Sequence, residues 1–208
     1  MTTISHRLRE ATAVAHQQAE NATFIDDLLS GRLDADQYGR LAAQLFFIYR
    51  ALEEVGAALA GDPVADAVLD DRLLRTDRLI GDLRTLGVDP ETITPLPAVE
   101  RYVDAIDATR TDPARYVAHH YTRYLGDLSG GQVVAHRMRE HYGLGASALS
   151  FYAFDGIDKL KRYKDAYRDR IDALAIAEPD IERLVAEAIS AFELNQALFA
   201  ELDAARVG

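Results

Sequence analysis

The chain has no cysteine among its 208 residues. That absence excludes a disulfide framework, a thiolate nucleophile and a zinc–thiolate site, and it suits a reducing compartment. No stretch approaches the roughly 18 consecutive apolar residues of a membrane span, and Met1–Arg7 lacks the apolar core of a signal peptide. The expectation is a cytoplasmic chain without membrane attachment. Positive charge is also scarce: 23 Lys and Arg stand against 34 Asp and Glu, a net charge of −11. A general nucleic-acid binder needs clustered cations to neutralise phosphates, so that class is excluded. Alternating strand-like runs, internal repeats and a nucleotide-binding glycine fingerprint are missing as well.

Helical periodicity is what the chain does have. Hydrophobic residues make up 49% and charged residues 27%, enough for one continuous core under a solvated surface. One all-α domain over 1–208 is expected. Ile4, Leu8, Ala11, Ala15 and Ala19 recur at helical spacing and mark an amphipathic first helix. Asp34 with Gln37 reads as a capping-box start. It opens a long helix carrying Tyr38, Leu41, Leu45, Ile48 and Leu52, closed by Gly61-Asp62-Pro63. Shorter helices are predicted over 64–70 and 72–86, then a loop holding Pro90, Pro95 and Pro97. Another runs from near Ala98 to Asp112-Pro113, where proline suits a first helical turn. An interrupted helix continues to about Tyr142, and the last two cover about 155–175 and 179–205.

The interruption is informative. Gly126, Gly130 and Gly131 fall within six residues of otherwise good helical sequence, each costing about 0.5–1 kcal/mol relative to alanine. On spacing alone they mark either a loop between two helices or backbone brought close to a flat ligand. Asp127 among them is either a solvated cap or a carboxylate aimed at a pocket. Of six histidines, His16 has a distinctive setting, sharing a helical face with Leu8, Thr12 and Glu20. It is either a surface histidine beside a glutamate or a metal ligand whose second nitrogen Glu20 orients. The run Lys159–Arg168, with Lys164 and Arg168 four apart, is either a solvated face or a cation cluster for a ligand's carboxylates. Arg9 lies two turns before His16 on the first helix. A ferritin-like di-iron bundle needs Glu-x-x-His pairs, and no histidine has glutamate three positions before it.

The nine residues Tyr124-Leu-Gly-Asp-Leu-Ser-Gly-Gly-Gln132 resemble the distal-helix motif of the heme oxygenases, and Ala15-His-Gln-Gln-Ala-Glu20 resembles their proximal helix. The likeness extends from the first helix to Phe199 and is to soluble bacterial members of the actinobacterial kind. It implies an all-α fold holding haem between a proximal helix and a Gly-kinked distal helix. His16 is then the axial iron ligand, contacted by Glu20. Gly126 and Gly130 bring backbone against the haem face, with Gly131 beside them. Asp127 orders a water that delivers a proton to the oxygen, and Arg123, one turn earlier, is placed to hold Asp127 ionised. Tyr49, Tyr102 and Asn195 match positions of the polar network, although ordinary buried polar groups would look the same. Arg9, Tyr121, Lys164 and Arg168 match propionate contacts. Phe192 and Phe199 match apolar pocket positions, which an amphipathic helix packed on the core explains equally. A basic residue often found three before the axial histidine is replaced here by Ala13, removing one propionate or partner contact.

The activity implied is oxidative cleavage of haem b by O₂, at the α meso position, to biliverdin, CO and Fe²⁺. Electrons must come from a separate reductase or ferredoxin, and a monomer is expected. The alternative is a haem carrier or sensor that keeps the fold without turnover. Asp127 separates the two, because a non-catalytic relative should lose it.

Overall fold

The computed structural model describes residues 2–206, and among them there is no strand. The helices are α1 (Ile4–Glu20), α2 (Thr23–Leu29), α3 (Ala35–Leu59), α4 (Thr76–Thr85), α5 (Pro97–Asp107), α6 (Pro113–His120), α7 (Gly126–Tyr142), α8 (Leu160–Asp172) and α9 (Glu178–Ala204). Their starts follow local chemistry. Thr3 and Asp112 accept from backbone N–H groups of the first turns of α1 and α6, and Asp34 Oδ1 accepts from Gln37 N at 2.9 Å to start α3. Pro97, Pro113 and Pro179 occupy first turns, where their missing N–H is not needed. Gly143, at φ +65°, ends α7 in the left-handed conformation that favours glycine.

The long helix α3 is the central element. Ile48, Tyr49, Leu52 and Val55 are fully buried, and α4, α5 and α6 all pack on it. The other long helix, α9, gathers α1, α2, α5 and α6. Helix α3 comes close to α6 at Gly56, where a Cβ would overlap the Tyr116 hydroxyl and press on Leu69. The Tyr116 hydroxyl uses that space to donate to the Leu52 carbonyl at 3.2 Å.

Three expected elements differ: the helix expected over about 155–175 covers only Leu160–Asp172 as α8, and two earlier ones also change. The helix predicted over 64–70 is a series of turns, because the Asp62 carboxylate accepts from Val64 N and Ala65 N at 2.8 and 3.2 Å and stops the chain extending into a helix. The one predicted over 72–86 begins only at Thr76, where Glu53 of α3 accepts from the Arg75 and Thr76 N–H groups. The interruption near the glycines is also displaced. Residues Tyr121–Leu125 form a π turn between α6 and α7, and Gly126 then has ordinary helical dihedrals, φ −59° and ψ −51°. The helix is disturbed one turn before the first glycine.

Gly56→Ala should destabilise the fold by about 1–3 kcal/mol through overpacking, read as a lowered urea midpoint with an unchanged m-value. A neutral result would mean that Tyr116 and Leu69 move aside at no cost.

Candidate active site

Helices α1 and α7 carry the two motifs but make little direct contact with each other. Helix α1 is held mainly by α9 and α8, and α7 by α2 and the turn at Ser150–Tyr152. On α1, the stripe through Leu8, Thr12, His16 and Glu20 turns outward along its length. A four-residue step overshoots a 3.6-residue turn by about 40°, so Leu8 and Thr12 are buried while the His16 side chain is 52% exposed. His16 Nδ1 lies 3.5 Å from Glu20 Oε2, leaving Nε2 as the nitrogen available to a ligand. The Phe192 ring of α9 packs edge-on against the imidazole, with centroids 5.6 Å apart.

On α7, the backbone of Gly126 and Gly130 is exposed, and a Cβ at either would meet nothing within 4 Å. Neither glycine is required by packing or by a special backbone angle, so the consequence of both is a helix face without side chains. Gly131 differs. Its Cβ would lie 2.8 Å from the Tyr152 ring, so this glycine admits Tyr152 from the protein side.

The Asp127 carboxyl lies inward from that bare face. Tyr49, from the middle of α3, donates its hydroxyl to Asp127 Oδ2. Arg123 Nε donates to the Tyr49 oxygen at 3.2 Å, and its NH1 group donates to Asn195 Oδ1 of α9 at 2.7 Å. Tyr102, from α5, is fully buried beside them. Its hydroxyl has no hydrogen-bond partner among the protein atoms, and burial pushes its pKa up to about 12. Burial also raises the Asp127 pKa above the usual carboxylate value, against the opposing pull of Arg123, the Tyr49 hydrogen bond and Arg75. Arg123 pulls the Asp127 pKa down, towards the ionised form. Arg123 reaches Asp127 through Tyr49, and desolvation outweighs its charge.

The cations come together at the edge of the same region. Lys164 of α8 donates to Ser129 Oγ in the first turn of α7 at 3.1 Å. Arg168 and Arg9 both lie near enough to Tyr121 to oppose the rise that burial imposes on its hydroxyl pKa. Arg168 also pairs with Asp165 at 3.2 Å. Phe199 is buried in the core, whereas Phe192 faces His16. A surface recess of about 640 Å³ between α3 and α4, lined by Arg50, Glu53, Arg72 and Arg78, contains none of these residues.

Sequence reasoning missed the supports. Tyr49 is held between the Tyr124 and Phe151 rings, with centroids at 5.5 and 5.1 Å. The segment carrying Phe151 is clamped by Arg75, a buried guanidinium without a carboxylate partner. Its donors go to the carbonyls of Arg72, Leu73, Leu74, Phe151 and Ala153 at 2.7–3.0 Å, and it lies 4.2 Å over the Phe154 ring. Nothing local around Arg75 announces this. The one available signal was Glu53, a half-buried carboxylate one turn after Tyr49 and next to the buried Leu52.

Comparison with known proteins agrees with this geometry. The heme oxygenase family model matches residues 2–201. A heme oxygenase from Pyropia yezoensis is 38% identical over 207 residues, covering 98% of this chain and 87% of that one. Heme oxygenase 1 from Synechocystis is 35% identical, covering 96% and 85%. The crystal structure of heme oxygenase-1 from Synechocystis in complex with heme superposes with a TM-score of 0.93 at 34% identity, covering 99% of this chain and 94% of that one. The structure of heme oxygenase from Leptospira interrogans gives 0.91 at 31%, covering 97% and 100%. The chain belongs to the heme oxygenase family, all-helical enzymes whose reaction is the cleavage of haem to biliverdin, CO and Fe²⁺.

Because the Asp127 pKa is raised on folding, the carboxyl stabilises the fold when protonated, and that contribution is lost as pH rises through its folded value. Replacing Asp127 with Asn, which keeps an acceptor for Tyr49, should therefore raise the unfolding midpoint at pH 7 but leave it near native at pH 4. An equal shift at both pH values would mean that the carboxyl is not desolvated.

Proposed function

We propose that this chain binds haem b as its substrate between α1 and α7 and opens it at the α meso carbon, with His16 Nε2 as the axial ligand. The observation that carries the reading is Asp127. An anchored, desolvated carboxyl sits directly behind a helix face stripped of side chains at Gly126 and Gly130. The residues present suit a flat dianionic ligand: an exposed imidazole on one side, bare backbone on the other, and Arg9, Tyr121, Lys164 and Arg168 at the edge for two propionates. Bound haem supplies the iron at which O₂ is reduced, and the protein supplies position, protons and protection.

Each residue then has a physical task. Glu20 accepts from His16 Nδ1–H and fixes the tautomer that presents Nε2. Phe192 sets the ring plane. Gly126 and Gly130 admit the ring close to backbone, so no side chain stands between it and Asp127. Asp127 holds a proton at its carboxyl and passes it through a bound water, while Tyr49, Arg123 and Asn195 keep that carboxyl in one orientation. The raised pKa makes Asp127 a better proton donor near neutrality than an exposed aspartate. The cations decide the rotation of the ring and hence which meso carbon faces Asp127. Gly131 serves by admitting Tyr152, and Phe199 by packing α9.

Among the described residues no helix is long and apolar enough to cross a membrane. We place the chain in the cytoplasm as a monomeric single domain, drawing electrons from a separate reductase or ferredoxin. The one-domain reading rests on a hydrophobic core continuous from Ile4 to Leu202.

The test is optical. Purified protein given haem and then a reductant in air should develop a Soret band that gives way to biliverdin absorption. Asp127→Ala should keep the Soret band but lose biliverdin formation by about 100-fold or more. His16→Ala should alter the ferric spectrum. A Soret band that persists in the native chain under several donors would favour a carrier or sensor, and a native spectrum in His16→Ala would remove the ligand assignment.

A further inference from the structure

Behind the bare face of α7 stands Tyr152, to which the function proposed above gives no task of its own. Asp127, Gly131 and Ala135 follow one another at four-residue spacing on the side of α7 that meets the protein. Asp127 is taken by Tyr49. At Gly131 the missing side chain leaves a notch that the Tyr152 ring fills, since a Cβ there would lie 2.8 Å from the ring edge. Gln132, the next residue of α7, donates from Nε2 to the Tyr152 carbonyl at 2.7 Å. Helix and turn are thus joined both by the ring and by the backbone.

The far side of the ring is braced. Phe151 meets it edge-on, with centroids 4.8 Å apart. Asp82 of α4 accepts from Ser150 N and Phe151 N at 2.9 and 2.8 Å and from the Ser150 hydroxyl at 2.6 Å. Arg75 holds the Phe151 and Ala153 carbonyls. The Tyr152 hydroxyl lies beside that of the buried Tyr38 on α3, near enough for each to shift the pKa of the other. Tyr38 and Tyr49 are 11 residues apart on α3, three turns, so they face the same way roughly 16 Å from one another. Asp127 and Gly131 are only about 6 Å apart along α7. Tyr49 reaches α7 directly, and Tyr152 is interposed between α7 and Tyr38.

Resting on the function proposed above, we infer that Tyr152 is a positioning residue whose ring is the stop that fixes the distance between the Gly126–Gly130 backbone and the haem plane. The braced ring keeps α7 from settling into the protein, and the Gln132 and Tyr49 bonds keep it from drifting outward. A methyl group at Gly131 would press against the ring and drive α7 towards the haem. A smaller side chain at 152 would let α7 sink away from it.

Complementary substitutions test this. Gly131→Ala should narrow the haem slot and Tyr152→Leu should widen it, while in the double variant the leucine makes room for the methyl. Carbon monoxide on the reduced haem complex is the probe. Its C–O stretch senses the field of the distal backbone dipoles, which falls off with distance. The stretch should shift in opposite directions in the two single variants and return towards native in the double variant. Each single variant should slow biliverdin formation by about 10- to 100-fold, and the double variant should recover part of that loss. In ligand-free protein, the double variant should lose less stability to urea than the two single losses together. Tyr152→Phe, which keeps the ring, should keep the native stretch. Shifts in the same direction, or none, would overturn the inference even if the stability losses are coupled, because Tyr152 would then only pack α7. So would a Tyr152→Phe shift as large as that of Tyr152→Leu. A native chain that binds haem but never opens it would sink the proposed function alone, since the stretch pattern still decides the part played by Tyr152. One that takes up no haem would sink both.

Discussion

A carboxyl group drawn out of water must be met by donors, and at Asp127 the chain supplies them in series. The Tyr49 hydroxyl reaches it from the central helix, Arg123 steadies that hydroxyl, and Asn195 steadies Arg123. Three helices and the π turn thereby converge on one functional group. Displacement of α3, α9 or the π turn would leave a buried donor or acceptor unpaired, at about 1–3 kcal/mol each. The site is consequently as rigid as the core around it, although its outer face is bare backbone.

The π turn makes that convergence possible. Its widened turn takes up the roughly 40° by which a four-residue spacing overshoots an α-helical turn. His119, Arg123 and Asp127 can then all face the interior while Gly126 and Gly130 face outward. His120, at the junction, is fully enclosed by aromatic rings, with its Nδ1 2.8 Å from the Tyr167 hydroxyl. Burial drives its pKa down to about 3, so the junction is built around a neutral imidazole.

Much of this was legible in the sequence because it is periodic or local. The α1 stripe, the Asp34 cap and the first-turn prolines each act within a turn or two of themselves, and the helices they predict are present. The cluster of glycines also pointed to the correct segment. It did not reveal that the disturbance precedes them, because a π turn has no compositional signature and depends on how α6 and α7 each pack. The turns after Pro63 were misjudged for a related reason: Asp62 has the composition of a helix cap, and its use as a turn acceptor is decided by tertiary packing. The roles of Arg75 and His119 were not found because the partners that matter lie about 70 or more residues away in the chain, Phe151 and Ala153 for Arg75 and Glu187 for His119, and nothing about a single arginine or histidine indicates such a partner.

The Arg75 clamp also sets how the site responds to its surroundings. Some anchors between distant segments of this chain are ion pairs at the surface, such as Arg78 with Asp155 or Arg7 with Glu178. Those weaken as salt screens them or as acid neutralises the carboxylate. Carbonyl oxygens have no proton to gain in that range, and a guanidinium has none to lose. The Arg75 share of the backing of Tyr49 is therefore indifferent to ionic strength and acidity, and acid can loosen only the share held by the Asp82 carboxylate, which accepts from Ser150 N and Phe151 N at 2.9 and 2.8 Å.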